Sequence, residues 1–244
     1  MGRFGSWGPA RGMYDPAASG IQVDVQEQQK FITKVYSWMT IGLAITGFVG
    51  LLLQYQPQLV INIAQSGAIW IIFLVQLGLV VLLSFAIRKI SASIATLLFL
   101  LYSASVGFTI ALVFLAYTTA SIAGTFFITA GTFGAMAFYG YVTKRDLSSI
   151  GNILFMGLIG VLIAMIVNVF LHSPGLYYAI SLIGVLVFVG LTAYDNQRIK
   201  YMYLVGADGS EANQKAAIMG ALQLYLDFIN LFLFLLRLFG QQRR

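Results

Sequence analysis

Beyond residue 34 the chain consists of long apolar runs separated by short polar segments. The runs cover residues 35–53, 67–87, 94–117, 121–141, 150–171, 176–194 and 216–239. Each is close to the ~20 residues that a helix needs to cross a bilayer. None of them alternates polar and apolar residues with a period of two, as a transmembrane barrel strand would. The pattern predicts an all-α integral membrane protein with seven transmembrane helices.

Composition supports this prediction and narrows the function classes. The 244 residues are 59% hydrophobic and 9% charged, whereas a soluble domain carries about 25% charged residues. So few charges exclude a soluble enzyme, and seven spans leave no room for a separate soluble domain. The chain has no cysteine, which excludes a disulfide framework and thiolate metal ligands.

The first 30 residues differ from the rest, being rich in Gly, Ser, Pro and Gln. They lack the apolar core of a signal peptide. We therefore expect residues 1–30 to form a mobile N-terminal segment and residues 31–244 to form the transmembrane domain.

Basic residues occur in alternate connections between the predicted spans. They are Lys30, Lys34, Arg88, Lys89, Lys144, Arg145, Arg198, Lys200 and Lys215, and the three intervening loops contain no Lys or Arg. By the positive-inside rule, the N-terminus and the basic loops face the cytoplasm. The net charge of +6 thus reflects orientation, and no nucleic-acid partner is expected. The alternation of basic connections favours seven full spans, which would put the C-terminus outside. Arg243 and Arg244 would then lie on the wrong side for the positive-inside rule. A re-entrant seventh segment would return them to the inside.

Glycine recurs inside the apolar runs, where small residues let helices approach closely. We expect a packing role for the nine glycines Gly42, Gly47, Gly50, Gly131, Gly134, Gly157, Gly160, Gly184 and Gly190.

Asp227 is the acid that lies deepest within an apolar run. A carboxylate at the centre of a span costs about 2.5–3.5 kcal/mol on insertion scales, so it must face protein or water. Gln223, Asp227, Asn230 and Arg237 follow at i, i+4, i+7 and i+14, which places them on one face of a helix. This face should line the bundle interior, so the last helix is expected to be central. The structural alternative is a buried Asp227 that pairs with a basic residue.

Asp195 lies at the predicted inner end of the sixth span. Taken alone, it is equally well explained as an interfacial residue beside Arg198 at i+3. Since the sixth span descends to the inner face and the seventh rises from it, Asp195 and Asp227 can meet. Asp227 is ~16 Å along the axis from residue 216. Contact therefore requires a seventh helix that begins outside the lipid, or a water-filled inner vestibule.

A meeting of the two acids predicts a pH gate. Two carboxyl groups in one site cannot both ionise freely, and they titrate as a unit. One shared proton holds the helices together, and its loss leaves two like charges unless a cation intervenes. Arg88 is the candidate cation. Ca²⁺ is the candidate ion, with Gln223, Asn230 and Asn196 as supporting polar groups, because Ca²⁺ takes 6–8 oxygen ligands.

The last two spans resemble a known family. TAYDNQRIK at 192–200 and LYLDFINLFLFLLRLFG at 224–240 are similar to the C-terminal signature of the transmembrane Bax inhibitor motif proteins. The Arg88-Lys89 end of span two, GFTIALVF at 107–114 and YVTKRDLSSIG at 141–151 are also similar. The resemblance covers roughly residues 30–240.

This resemblance implies seven helices with the last one central, and a pH-sensitive Ca²⁺ leak gated by Asp195 and Asp227, with Arg88 able to engage Asp195. It also implies links to cell-death suppression in eukaryotes and to control of a membrane protease in bacteria. Gln76 or Leu77 stands where some bacterial relatives carry an acid, so a helper carboxylate is missing.

The main expectation for function is a passive, proton-gated cation leak without a bound cofactor. The alternative is a membrane-embedded regulator that binds a membrane protease or a cell-death partner through residues 1–30. An intramembrane aspartyl protease is disfavoured because Tyr225-Leu226-Asp227 replaces the G-x-G-D that it requires, so no enzyme is expected. Short basic loops without a eukaryotic sorting signal favour a bacterial inner membrane.

Overall fold

The computed structural model describes residues 25–205 and 210–243, apart from the side chains of 203–205 and 210. This part of the chain folds into helices. They are α1 (Val25–Gln54), α2 (Pro57–Gln65), α3 (Ala68–Ala86), α4 (Ala92–Ala116), α5 (Thr119–Val142), α6 (Ser148–Leu171), α7 (Pro174–Val205) and α8 (Ser210–Phe239).

Seven of these helices are long and apolar enough to cross a membrane, namely all except α2. The prediction of an all-α membrane protein with seven spans is therefore confirmed. Of the residues predicted to form the N-terminal segment, 25–30 instead belong to α1. Residues 1–24 lie outside the described part of the chain.

The first predicted loop contains the short helix α2. Pro57 occupies its first turn, where the missing N–H of proline is no loss. Gly67 follows with a φ of 78°, a left-handed conformation that glycine adopts without strain. The loop thus turns the chain from α2 directly into α3.

The C-terminal helix α8 is the centre of the bundle, as predicted. It packs against α1, α4, α5 and α7. Of the residues in its most apolar 18-residue stretch, 67% are buried. By contrast, α3 packs mainly against α4, and α6 mainly against α7. Both outer helices leave most of their apolar side chains exposed, as expected for surfaces that face lipid.

The bundle has two chemically different ends. At one end, which we call the basic end, the start of α4 contacts the start of α8 through Ala92 N–H, which donates to Glu211 Oε1 over 3.3 Å. There Gln28 of α1 donates to the Lys200 carbonyl of α7 over 3.1 Å. The side chain of Gln197 accepts from Leu147 N–H in the α5–α6 turn over 2.9 Å. The basic connections therefore share one end, as the alternation predicted.

The C-terminal tail lies at the opposite end, which we call the neutral end because the loops between helices there contain no Lys or Arg. Thr118 N–H in the α4–α5 turn donates to the Gln241 carbonyl over 3.0 Å, and Arg243 N–H donates to the Ala116 carbonyl over 2.9 Å. Arg243 Nε also donates to the Tyr117 carbonyl over 3.0 Å. Of the two alternatives for the tail, the structure has seven full spans, and hydrogen bonds to the turn satisfy Arg243 at this end.

Five of the nine glycines predicted to pack do so. A Cβ at Gly42, Gly50, Gly157, Gly184 or Gly190 would lie 2.6–3.1 Å from a side chain of another helix. The prediction is wrong for Gly47, Gly131, Gly134 and Gly160, where a Cβ would meet nothing within 4 Å. These four glycines face outward, where a small residue brings no neighbour closer.

Gly107 of α4 is the sharpest test of close packing. A Cβ there would lie 2.6 Å from Val49 Cβ and 3.0 Å from the Thr46 carbonyl oxygen, atoms that move only with the α1 backbone. We predict that Gly107→Ala lowers the free energy of unfolding by about 1–3 kcal/mol through overpacking. Thermal melting of the purified protein in detergent micelles measures this loss.

The matched control is Gly47→Ala on α1, where a Cβ meets nothing within 4 Å. Its melting temperature should stay the same or rise, because alanine favours a helix by up to about 1 kcal/mol over glycine. Equal melting temperatures for Gly107→Ala and the natural protein would contradict the close α1–α4 contact.

Candidate functional site

Asp195 of α7 and Asp227 of α8 meet inside the bundle. Each residue is only 4% exposed, and the two side chains lie within hydrogen-bonding distance of each other. Gln223, one turn before Asp227, donates from Nε2 to Asp195 Oδ1 over 2.8 Å. The structure therefore brings together the two acids that the sequence singled out.

Helix length resolves the difference in depth between the two acids. The structure has α8 beginning at Ser210 and α7 ending at Val205, whereas the sequence predicted boundaries at residues 216 and 194. Both helices therefore extend beyond the apolar runs, and Asp195 lies within α7 rather than at its end. Of the two conditions under which the acids could meet, an early start of the last helix or a water-filled inner vestibule, the structure has the early start of α8.

The pair has few polar partners within the described residues. The Oδ2 atom of Asp227 is buried and has no hydrogen-bond partner. An ionised carboxylate that is buried without compensation costs several kcal/mol. A proton shared between the two carboxyl groups removes one of the two charges and supplies a donor.

Arg198, rather than Arg88, is the basic residue close to the pair. Arg198 acts electrostatically on Asp195 and lines the same cavity. Arg88 is exposed at the basic end and is absent from the cavity lining. The structure therefore does not bring Arg88 to the pair, and the helix before it, α3, packs mainly against α4. Arg198 is itself exposed, and the ion pairs between described residues do not include it.

Asn196 faces away from the pair. Its Oδ1 accepts a hydrogen bond from the Tyr36 hydroxyl of α1, and its Nδ2 donates to the Thr192 carbonyl over 2.6 Å. Successive helical residues point about 100° apart, so Asn196 belongs to the α1–α7 contact. It does not line the cavity, which differs from the supporting role expected for it.

The polar face of α8 lines a cavity of about 830 Å³. All four residues of that face, Gln223, Asp227, Asn230 and Arg237, contribute to the lining, so the prediction from their spacing is confirmed. The remaining wall combines apolar side chains of α4, α6 and α7 with Phe73 and Gln76 of α3. Asn230 binds its own helix, donating to the Leu226 carbonyl over 2.8 Å, which leaves its Oδ1 as an acceptor.

The cavity reaches from the pair towards the neutral end. Asp195 and Arg198 line it on one side, and Tyr117 and Arg237 line it on the other. Asp227 and Arg237 are ten residues apart on α8, so the cavity follows about 15 Å of the helix axis. It therefore offers a path along much of the apolar thickness of the bundle.

Gln76 and Thr109 are cavity residues whose position the sequence did not reveal. Gln76 Nε2 donates to Thr109 Oγ1 over 3.0 Å and to the Ser105 carbonyl over 2.9 Å. The signal in the sequence was an amide in the otherwise apolar run 68–86, which should face protein. Gln76 therefore contributes an uncharged amide side chain to the cavity wall.

The site does not have the ligand set of a resident metal. No group of three or more His, Cys, Asp and Glu side chains comes together in the described residues. The two carboxyl groups supply at most four oxygens, whereas Ca²⁺ takes 6–8. The two carboxyl groups by themselves therefore supply fewer oxygens than a resident Ca²⁺ requires.

Comparison with known proteins relates the whole bundle to one group. The family model described as "Inhibitor of apoptosis-promoting Bax1" matches residues 28–244. The chain is 50% identical over 218 residues to the inner membrane protein YbhL of Escherichia coli, covering 88% of this chain and 93% of that protein. A protein of Borreliella burgdorferi is 47% identical over 217 residues, covering 88% and 94%.

The hydrogen bond from Gln223 to Asp195 is a testable element of this site. We predict that Gln223→Leu destabilises the protein by about 1–3 kcal/mol, because it leaves a buried acceptor without its donor. Thermal melting in detergent micelles measures the effect. Gln58→Leu is the control, since the Gln58 amide donates to Asn62 on the exposed surface over 3.0 Å. Equal losses for the two variants would contradict a special role for Gln223.

Proposed function

The chain belongs to the Bax inhibitor family, and on that premise we propose that it is a passive, pH-sensitive leak for Ca²⁺. The observation that carries the proposal is the buried Asp195–Asp227 pair, which lies on a cavity that follows α8 for about 15 Å. A closed pair of carboxyl groups at one end of such a path is suited to act as a gate.

The gate works through one proton. With a single proton on the pair, one carboxyl group donates to the other and α7 is held against α8. When the pH rises and the proton leaves, two negative charges remain in a poorly polarisable environment and repel each other. The basic residue nearby, Arg198, is exposed and makes no ion pair with them in the described structure. Deprotonation therefore favours separation of α7 from α8 and opening of the path.

The chemistry of the open pair suits a hard divalent cation. Carboxylate and carboxamide oxygens are ligands that Ca²⁺ accepts, and water can complete its coordination in the cavity. Too few protein oxygens surround the pair for tight binding. An ion that binds weakly at successive sites passes through a pore, whereas an ion in a complete cage stays.

We place the protein in a bacterial inner membrane with its basic end in the cytoplasm. The name of the E. coli relative states an inner membrane location for that protein, and the basic connections all lie at one end. By the positive-inside rule this end faces the cytoplasm, which exposes the neutral end to the opposite side. We propose neither a catalysed reaction nor a bound cofactor for this protein.

The family model's description favours a second candidate function. It names an inhibitor of an apoptosis-promoting protein. For this chain we propose, as the second candidate, that it binds a membrane protease or a cell-death partner. For this chain the proposed contact is the polar segment before α1.

The pair is tested by Ca²⁺ flux into liposomes across a series of pH values. We predict that flux through the natural protein rises with pH, because the one-proton state is lost. Asp227→Asn cannot form two negative charges, so its flux should vary less than about twofold across the series. A fluorescent Ca²⁺ indicator inside the liposomes provides the measurement.

The control for this experiment is Asp146→Asn. Asp146 is exposed in the α5–α6 turn, where its Oδ1 accepts from Ser148 N–H over 2.9 Å, a role that asparagine can retain. It should keep the natural pH profile. The same profile for Asp227→Asn and the natural protein would remove the pair from the gating mechanism.

The partner-binding function is tested by deleting residues 2–24, which leaves α1 whole. We predict that crosslinking in bacterial membranes no longer captures a membrane protease with the shortened chain, while its Ca²⁺ flux in liposomes is unchanged. Capture that survives the deletion would show that the contact lies elsewhere on the protein.

A further inference from the structure

Arg237 is a fixed positive charge at the neutral end of the cavity. It lines the cavity, is partly buried, and belongs to the last turn of α8. Its guanidinium carbon lies 5.7 Å from the centre of the Tyr177 ring and 5.4 Å from that of Phe234. These two aromatic faces hold the cation in place without cancelling its charge.

No carboxylate neutralises Arg237 among the residues that the structure describes. The ion pairs there join Glu27 with Lys30 and Glu211 with Lys215. Asp227 is ten residues away on the same helix, or about 15 Å. Glu27, Glu211 and Asp146 belong to the basic end of the bundle. An arginine that lines a cavity near the end of an apolar span and has no counter-ion is a candidate functional residue.

The aromatic side chains beside Arg237 are linked to neighbouring parts of the bundle. The side chains of Tyr177 and Tyr117 share a hydrogen bond, which joins the start of α7 to the end of α4. The tail fixes Tyr117 from the other side, since an isolated antiparallel bridge pairs Tyr117 with Gln242. The guanidinium therefore remains beside the path while the aspartate pair at the other end changes its protonation.

We propose that Arg237 is a specificity-determining residue, a second barrier that slows the passage of cations, and of divalent cations most strongly, at the neutral end of the cavity. This inference rests on the proposed leak function. Repulsion by a fixed charge is strong in a poorly polarisable environment, and rings of charged side chains set selectivity in pores. The natural protein is thus a slow leak because each ion must pass a positive charge that the pH does not remove.

The proposal has a quantitative signature. The repulsion energy is proportional to the charge of the ion, so a barrier that slows a monovalent ion by some factor slows a divalent ion by the square of that factor. Removing the charge should therefore raise Ca²⁺ flux far more than K⁺ flux. A variant that merely loosens the packing would raise both fluxes to a similar degree.

The experiment measures Ca²⁺ and K⁺ flux into liposomes that contain the full-length protein, with equal pH on both sides. For Arg237→Gln we expect Ca²⁺ flux to rise by about tenfold and K⁺ flux by about threefold. Arg237→Lys retains the charge and should remain close to the natural protein. The pH dependence of all three proteins should have the same shape, since the aspartate pair is intact.

Arg243→Gln is the matched control at the same end. It removes one positive charge from the tail, but Arg243 does not line the cavity, and glutamine can still donate to the α4–α5 turn. Its fluxes should stay near those of the natural protein. Equal increases for Arg237→Gln and Arg243→Gln, or equal increases of Ca²⁺ and K⁺ flux in Arg237→Gln, would overturn the proposal.

The outcome for the natural protein separates this inference from the proposed function. If the natural protein carries no Ca²⁺ at any pH, both are wrong. If it carries Ca²⁺ with a pH profile that Asp227→Asn abolishes, while Arg237→Gln leaves the flux unchanged, then the leak function holds and the second barrier is wrong.

Discussion

A carboxyl group within an apolar helix must find a partner inside the protein, and here two carboxyl groups find each other. Asp195 and Asp227 are both buried, and the contact between them joins α7 to the central helix α8. This contact is stable only while the total charge on the pair is kept low. The arrangement of the surrounding helices follows from the need to enclose it.

The central position of α8 is one consequence. Lipid cannot solvate the polar face of this helix, so α1, α4, α5 and α7 surround it. The polar side chains of that face line the cavity. A second polar contact ties the same helices together elsewhere, since Thr46 Oγ1 of α1 and the Tyr225 hydroxyl of α8 lie 2.6 Å apart. Thr46 also donates to the Ser103 carbonyl of α4 over 2.8 Å. The contact of α8 with α1 and α4 thus uses hydroxyl and carbonyl groups. Its contact with α7 uses two carboxyl groups that can ionise.

The two ends of the cavity differ in whether their charge can titrate. At the end with Asp195, the charge of the site depends on a proton. At the end with Arg237, the charge is permanent, because a guanidinium keeps its proton in proteins. For the leak proposed above, such a path would respond to pH at one end and would repel cations at the other.

The sequence by itself determined the seven spans, the common end of the basic connections, the polar face of α8 and the two acids that lie in the last two spans. These features follow from local rules, because hydrophobic length and helical periodicity act within one segment. Tertiary structure decided what depends on the packing of separate segments. It placed Arg198 rather than Arg88 beside the pair and turned Asn196 towards Tyr36. It also left open space beside Gly47 and brought the tail to the α4–α5 turn. It also set the ends of α7 and α8, because their polar extensions are stabilised by neighbouring helices that no hydropathy pattern reveals.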